Sequence, residues 1–280
     1  MNPQKLFHKV SIRCSRVTTH SYSTSFSIGI RCLEREFRDP VYSIYGFVRF
    51  ADEIVDTFQG IDKKTLLQRF REDTHRAISD KISLNPILNS FQFTVRKYNI
   101  QPELYNTFLK SMEMDIDRTR YDRAGFQEYI LGSAEVVGLM CLRVFSRGNE
   151  TMYQKLKPYA MRLGAAFQKI NFLRDLKADY LEMGRCYFPD LEPSHFDQKS
   201  KRKIEDDIAS DFNAGFEGIK LLPHSVKLGM YVAYVYYYTL FKKIKNTSPE
   251  RVLQQRIHIP NRHKISLLAF SFLKHQLNLI

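Results

Sequence analysis

Residues 41–58, VYSIYGFVRFADEIVDTF, carry the pattern that decides the fold. Val41, Ile44, Tyr45, Val48, Ile54 and Val55 recur at the three- and four-residue spacing of a buried helix face. Asp39 is placed to cap this helix, Pro40 to take its first position and Gly60 to end it, so the spacing predicts a helix over 40–58. Asp52 and Asp56 stand four apart within it, so their carboxylates leave one face, one above the other, while Glu53 points elsewhere. Like charges at that spacing oppose helix formation by roughly 0.2–0.5 kcal/mol, tolerable on a surface and informative inside an apolar helix. Taken alone, the pair also suits a solvated acidic face.

A second stretch, AFQKINFLRDLKADYLEMGRCYFP at 166–189, repeats the spacing with Asp175 and Asp179. At about 100° per residue, Gln168, Asn171, Asp175 and Asp179 fall within an arc of about 80°, flanked by Ala166, Ile170, Phe172, Leu173 and Leu176. So narrow a polar stripe faces either water or a polar cavity inside a bundle. Magnesium prefers oxygen ligands and is commonly held by one or two carboxylates with phosphate and water, so facing aspartate pairs suit a metal–diphosphate cluster. Arg49 and Arg174 could then reach phosphate oxygens as forked donors, although either alone suits a surface ion pair.

The rest of the chain is consistent with helix. Its 280 residues are 44% hydrophobic and 13% aromatic, enough for a sizeable core, and hold only 12 Gly and 10 Pro, too few for strands separated by regular turns. Further helices are predicted over 64–79, 85–98, 102–118, 125–146, 152–180, 201–222, 225–245 and 260–277, with breaks at Pro189 and Pro193 and at 246–249. One short stretch, 255–259, is a possible β element. No repeat or low-complexity linker marks a boundary, so one compact unit is expected.

Cys14, Cys32, Cys141 and Cys186 form no C-x-x-C pair, which excludes a zinc spacing or disulfide framework and fits reduced thiols in a cytoplasmic protein. The N-terminus lacks the apolar core of a secretory signal, and charge-free stretches such as Leu228–Phe241 fall short of the ~20 residues that span a bilayer. Lys and Arg number 43 against 30 Asp and Glu, a formal net charge of +13 that favours an anionic substrate or surface. These cations are dispersed, without the groove of interleaved aromatics that nucleic-acid binding would want, so no nucleic-acid partner is expected. The eight histidines form neither HExxH nor a triad pattern.

The residues resemble the squalene/phytoene synthases, head-to-head prenyl transferases. Tyr45-x-x-x-Arg49-x-x-Asp52-x-x-x-Asp56 is similar to that family's first aspartate motif. Gln168-x-x-Asn171-x-x-Arg174-Asp175-x-x-x-Asp179, followed by Arg185-x-Tyr187-Phe188-Pro189, is similar to its second. Ser23-Thr24-Ser25-Phe26 resembles the early Ser-x-Ser-Phe motif. MEMDIDRTRY, then Tyr129, Ser133, Ala134, Val137 and Gly138, resembles the helix whose small residues let the prenyl chain pass, and Ala233-x-x-Tyr236 and Arg256 match late positions. Two departures are Glu53, where many members have Asp, and LGSAEVVG at 131–138, which places Glu135 in a helix expected to border the tunnel.

The resemblance implies an all-α, single-domain isoprenoid-synthase bundle around a central cavity over 1–280, with 1–20 an N-terminal extension and 265–280 the end of the last helix. It implies catalytic roles for Asp52, Asp56, Asp175, Asp179, Tyr129 and Arg174, and metal ligation by the four aspartates with Asn171. Substrate binding would fall to Ser23, Ser25, Phe26, Tyr45, Arg49, Gln168, Asn171, Arg185, Tyr236 and Arg256. In the tyrosine run 234–238, core packing and rim exposure are expected for all but Tyr236, and Met112 and Met114 are expected as core fillers.

The expected cofactor is Mg²⁺, with Mn²⁺ as a substitute. The expected reaction joins two geranylgeranyl diphosphates into phytoene, for a carotenoid desaturase downstream. The alternative is squalene or dehydrosqualene formation from farnesyl diphosphate, with NADPH only for squalene. A non-catalytic assembly factor is the reading from another class. Localisation is expected to be cytoplasmic, with peripheral contact at the membrane face.

Overall fold

The computed structural model describes residues 2–189, 191, 192 and 195–280, without the side chains of 181–183 and 261; the expected break at Pro193 lies outside the described residues. The helices are α1 (Pro3–Tyr22), α2 (Thr24–Arg31), α3 (Arg35–Asp56), α4 (Lys63–Asp80), α5 (Pro86–Lys97), α6 (Pro102–Asp117), α7 (Arg123–Ile130), α8 (Val136–Ser146), α9 (Glu150–Met183), α10 (Gln198–Lys220), α11 (His224–Lys245), α12 (Pro249–Gln254) and α13 (Asn261–Gln276). A π segment, Leu131–Glu135, joins α7 to α8 without a break. No strand occurs among the described residues, and Arg120 and Cys186 form an isolated bridge.

Of the nine helices expected from apolar spacing, all but α3 begin and end within three residues of the expected bounds, while α1, α2 and α12 are not anticipated. Asp39 is not the cap of α3 and Pro40 is not its first residue: the helix begins at Arg35 and runs through Pro40. The apolar face starts a turn earlier than Val41, because Phe37 is buried edge-on against Phe145, and Asp39 is held instead by Arg16. Pro40 deprives the Glu36 carbonyl of an intrahelical partner, but Glu36 is exposed and water can take that place. Residues 3–20, read as part of an N-terminal extension, belong to a helix ending at Tyr22 that packs on α3 and α5, with the Ser15 and Ser90 hydroxyls 2.6 Å apart in the contact. The possible β element at 255–259 is irregular chain.

Packing organises around two aromatic clusters. Phe47 of α3 stacks on Phe91 of α5 at 3.9 Å and meets Phe70 of α4 and Phe108 of α6. Phe172 of α9 stacks on Tyr187 at 4.0 Å. The continuous helix Arg123–Ser146 has the length and mean hydropathy, 1.4, of a membrane span, but 67% of its apolar window is buried as a core helix. It approaches α6 closely at Gly132, where an added Cβ would lie 2.5 Å from Ser111 Cβ and 2.8 Å from the Thr107 carbonyl.

In an open helix Gly→Ala stabilises by up to about 1 kcal/mol, but here the clash falls partly on backbone. Gly132→Ala is therefore expected to destabilise the fold by about 1–3 kcal/mol, read as a lower midpoint of thermal or urea unfolding.

Candidate active site

α2, α3, α8, α9 and α11 enclose a cavity of about 460 Å³. Its inner wall is apolar, with Ile30, Leu33, Val41, Ile44, Cys141 and Phe145 among the lining residues, while its mouth carries Ser23, Arg49, Asp52, Gln168, Asn171 and Arg174. From Val41 to Asp52 the α3 face runs about 16 Å, so one wall grades from hydrocarbon to carboxylate along a single helix. Cys141 within this wall has its thiol pushed up to about 12 by burial, which makes it an inert apolar liner.

The first motif is assembled on one face of α3. Tyr45 hydrogen-bonds Ser23, and burial raises its hydroxyl to about 12. Ser23 also accepts from the Phe26 amide at 3.2 Å, so the residue capping α2 is a residue of the mouth. Arg49 pairs with Glu53 and lies over the Tyr22 ring at 4.3 Å. Glu53, which points away from the aspartates as expected, thus has the task of orienting Arg49.

On α9, Asp175 is gripped by Arg174 and by Arg256, whose Nε is 2.7 Å from Oδ1. Asn171 reaches Gln168 at 3.4 Å and the Tyr237 hydroxyl. α9 ends on Gly184 at φ +64°, and that left-handed turn reverses the chain. Cys186 then donates its amide to the Thr119 carbonyl at 2.8 Å. The reversed segment delivers Arg185 back to α3, where Nη1 donates to Asp56 Oδ1 at 2.9 Å and Nη2 to the Asp115 carbonyl at 2.8 Å.

Asp115, in the quoted stretch MEMDIDRTRY but not singled out from sequence, is the buried hub beneath this end. Its carboxylate accepts from Tyr129, from Tyr121 at 3.0 Å and from Tyr187 at 3.2 Å. Only the acid's position amid apolar helix residues hinted at it: Tyr121 ends the same stretch, but Tyr129 belongs to α7 and Tyr187 follows 72 residues on. Tyr129 accordingly sits on Asp115 and does not line the cavity.

Several expected residues lie elsewhere. Tyr236 is a correction: it is 2% exposed and donates to the Lys264 carbonyl at 2.7 Å, facing α13, while Tyr237 enters the cavity and stacks on Phe167 at 4.1 Å. One residue along a helix turns a side chain by about 100°, and the tyrosine run gave no phase. Ser25, Asp56, Asp175, Asp179 and Arg185 surround the mouth or stand outside the cavity lining. Glu135 does not charge the tunnel: it faces Asp211, Lys169 and Arg162, an ionic cluster between α9 and α10 in which Lys169 bonds Asp211 at 2.7 Å.

Electrostatically the mouth is an overloaded acid cluster. Asp52 is pushed up to about 8, by burial first and then by Asp56. Asp179 rises to about 7 through burial, Asp175 and Asp56, and Asp115 to about 6 through burial. No three His, Cys, Asp or Glu side chains among the described residues are gathered closely enough to hold a metal unaided. The oxygens nevertheless fit a hard cation that takes further oxygens from a ligand: carboxylates on two helices lack full compensation, and Asn171 Oδ1 and Ser133 Oγ are buried without a partner in the cavity lining, while the unpartnered Arg49 Nε–H suits the anionic ligand.

The raised Asp52 has a direct consequence for stability. Unfolded, its carboxyl ionises near 3.9, so between about pH 4 and 8 the unfolded chain binds fewer protons and stability falls as pH rises. Asp52→Asn is expected to raise the Tm of metal-free protein, more at pH 9 than at pH 5, by about 2–4 °C per kcal/mol relieved. Asp115→Ala should act oppositely, stranding three buried tyrosine hydroxyls at a cost on the order of 3 kcal/mol, measured by urea unfolding.

Comparison with known proteins agrees with this geometry. A presqualene diphosphate synthase of Rhodopseudomonas palustris is 29% identical over 59% of this chain and 58% of its own length. A phytoene synthase of Mycobacterium tuberculosis is 29% identical over 63% of this chain and 57% of its own length, so each match spans less than two thirds of the relative. The crystal structure of squalene synthase HpnC from Alicyclobacillus acidocaldarius shares the fold, with a TM-score of 0.74 at 21% identity over 89% of this chain and 97% of that one. The family model for squalene/phytoene synthase matches residues 19–263, which take in both aspartate pairs and the cavity between them, and this chain belongs to that family.

Proposed function

We propose that this protein condenses two prenyl diphosphates head to head, with geranylgeranyl diphosphate as substrate and phytoene as product. The observation that carries the reading is a cavity with an apolar interior and a polar mouth, lined by Asp52, Arg49, Arg174 and Arg256, the last two holding Asp175, suited to a hydrocarbon with a diphosphate head. Asp52, Asp56, Asp175 and Asp179, with Asn171, would hold Mg²⁺, which when bound neutralises charge on the departing diphosphate.

The chain's own residues supply the remainder. Arg49, Arg174 and Arg256 stand at the rim as forked donors for phosphate oxygens, each now held by a carboxylate that a diphosphate can displace. The Tyr45 and Ser23 hydroxyls lie beside them, and Phe26, Phe167 and Tyr237 present aromatic faces to a carbocation in a water-poor space. Gln168 keeps Asn171 turned toward the mouth. A second reading, two farnesyl diphosphates giving a C30 product, is favoured by the presqualene diphosphate synthase among the relatives.

Purified protein incubated with Mg²⁺ and either diphosphate, with and without NADPH, should yield a C40 hydrocarbon from geranylgeranyl diphosphate without NADPH. A C30 product would establish the second reading. Asp52→Asn and Asp175→Asn are each expected to lower turnover by about 100-fold or more, and EDTA to abolish it. Wild type with no product from either substrate, indistinguishable from the variants, would overturn the catalytic reading and leave an assembly role on the same fold.

A further inference from the structure

Arg49 has two acids within reach on its own helix. Asp52 follows it by three residues and Glu53 by four, both spacings at which helical side chains meet. At about 100° per residue, Asp52 lies about 60° to one side of Arg49 and Glu53 about 40° to the other. The guanidinium takes the Glu53 side, where Nη2 pairs with the carboxylate and the group lies over the ring of Tyr22, the last residue of α1, at 4.3 Å. Asp52, which lines the cavity mouth together with Arg49 and Tyr22, has no ion pair among the described residues. A cation that precedes its acid by four residues is the weaker orientation of such a pair, so the aromatic contact from α1 reinforces what α3 alone holds poorly. Of the three rim arginines, Arg174 and Arg256 hold Asp175, itself one of the four aspartates, whereas Arg49 is held by an acid outside that set.

We propose that Glu53 and Tyr22 are positioning residues that clamp Arg49 away from Asp52, leaving the Asp52 carboxylate for a cation and the buried, unpartnered Arg49 Nε–H for the phosphate oxygens of a diphosphate. Without the clamp, Asp52 is the next acid in reach of the guanidinium. One ion pair would then occupy both groups, and a ligand would have to break it before binding. Charge counting gives the opposite expectation, because Glu53 is an acid beside an anion site and its removal should strengthen binding. The sign of the effect therefore separates a clamp from a mere repelling charge. The clamp rests on the reading of the mouth as a diphosphate site and does not depend on which prenyl chain is joined.

The test is calorimetric titration of the full chain with inorganic pyrophosphate in saturating Mg²⁺. Glu53→Gln is expected to weaken binding about tenfold, as for loss of a hydrogen bond to a charged group. Tyr22→Leu should weaken it about threefold, the smaller effect because Tyr22 is half exposed. Tyr22→Phe, which keeps the ring, should bring affinity back to within about twofold of wild type. In an Arg49→Gln background neither Glu53→Gln nor Tyr22→Leu should weaken binding further, a coupling that general loosening of the fold does not produce. Circular dichroism and the unfolding midpoint check folding, with the shorter Glu53→Asp, expected to bind between wild type and Glu53→Gln, standing in if the glutamine variant unfolds. Glu53→Gln that binds as tightly as wild type or more tightly would overturn the proposal. So would equal losses in Tyr22→Phe and Tyr22→Leu, or a loss that persists without Arg49. A wild type with no affinity for pyrophosphate would overturn the diphosphate reading of the mouth, and the clamp with it.

Discussion

Arg185 holds the acidic end of the cavity together. One guanidinium spans the Asp56 carboxylate on α3 and the Asp115 carbonyl at the end of α6, and it reaches both only because Gly184 reverses the chain. Buried charge is costly unless paired and hydrogen-bonded, and several carboxylates here share few cations. The reversed segment adds Tyr187, which stacks on Phe172 and bonds Asp115, so the turn that brings the cation also closes the dry wall behind it.

The strain in this arrangement is electrostatic. Asp52 and Asp179 are driven towards the neutral form by burial first and then by neighbouring acids, Asp56 for Asp52 and Asp175 with Asp56 for Asp179, a poor choice for a domain optimised only for stability. Perturbed acids grouped at the mouth of a cavity are what a site for a cation and an anionic ligand requires before either arrives. The helices supply stiffness: α3 and α9 carry the two aspartate pairs on continuous backbone, with Phe47 stacked on Phe91 behind α3 and Phe172 stacked on Tyr187 next to the buried Asp115.

Other charges in the bundle have only structural work. Lys169, Arg162, Asp207 and Asp211 join α9 to α10, and the fully buried pair Lys201 and Glu205 also bonds the Lys245 carbonyl at the end of α11. These clusters are neutralised locally, unlike the mouth. They also explain how Glu135 is accommodated in a helix that borders the cavity: the cations of α9 face it, and the tunnel does not.

The helical class and both aspartate pairs were legible in the sequence because they are local: residues four apart on a helix share a face whatever surrounds them. The apolar walls were legible for the same reason. What tertiary structure alone decided is the rotation of each helix against its neighbours. It set Tyr237 rather than Tyr236 into the cavity and brought the distant Tyr187 to join Tyr121 and Tyr129 on Asp115. It also left Ile265, Phe270, Phe272 and Leu273 of α13 exposed. Where a helix has apolar or mixed residues all round, periodicity does not fix its phase, and only contacts between remote segments choose which side faces in.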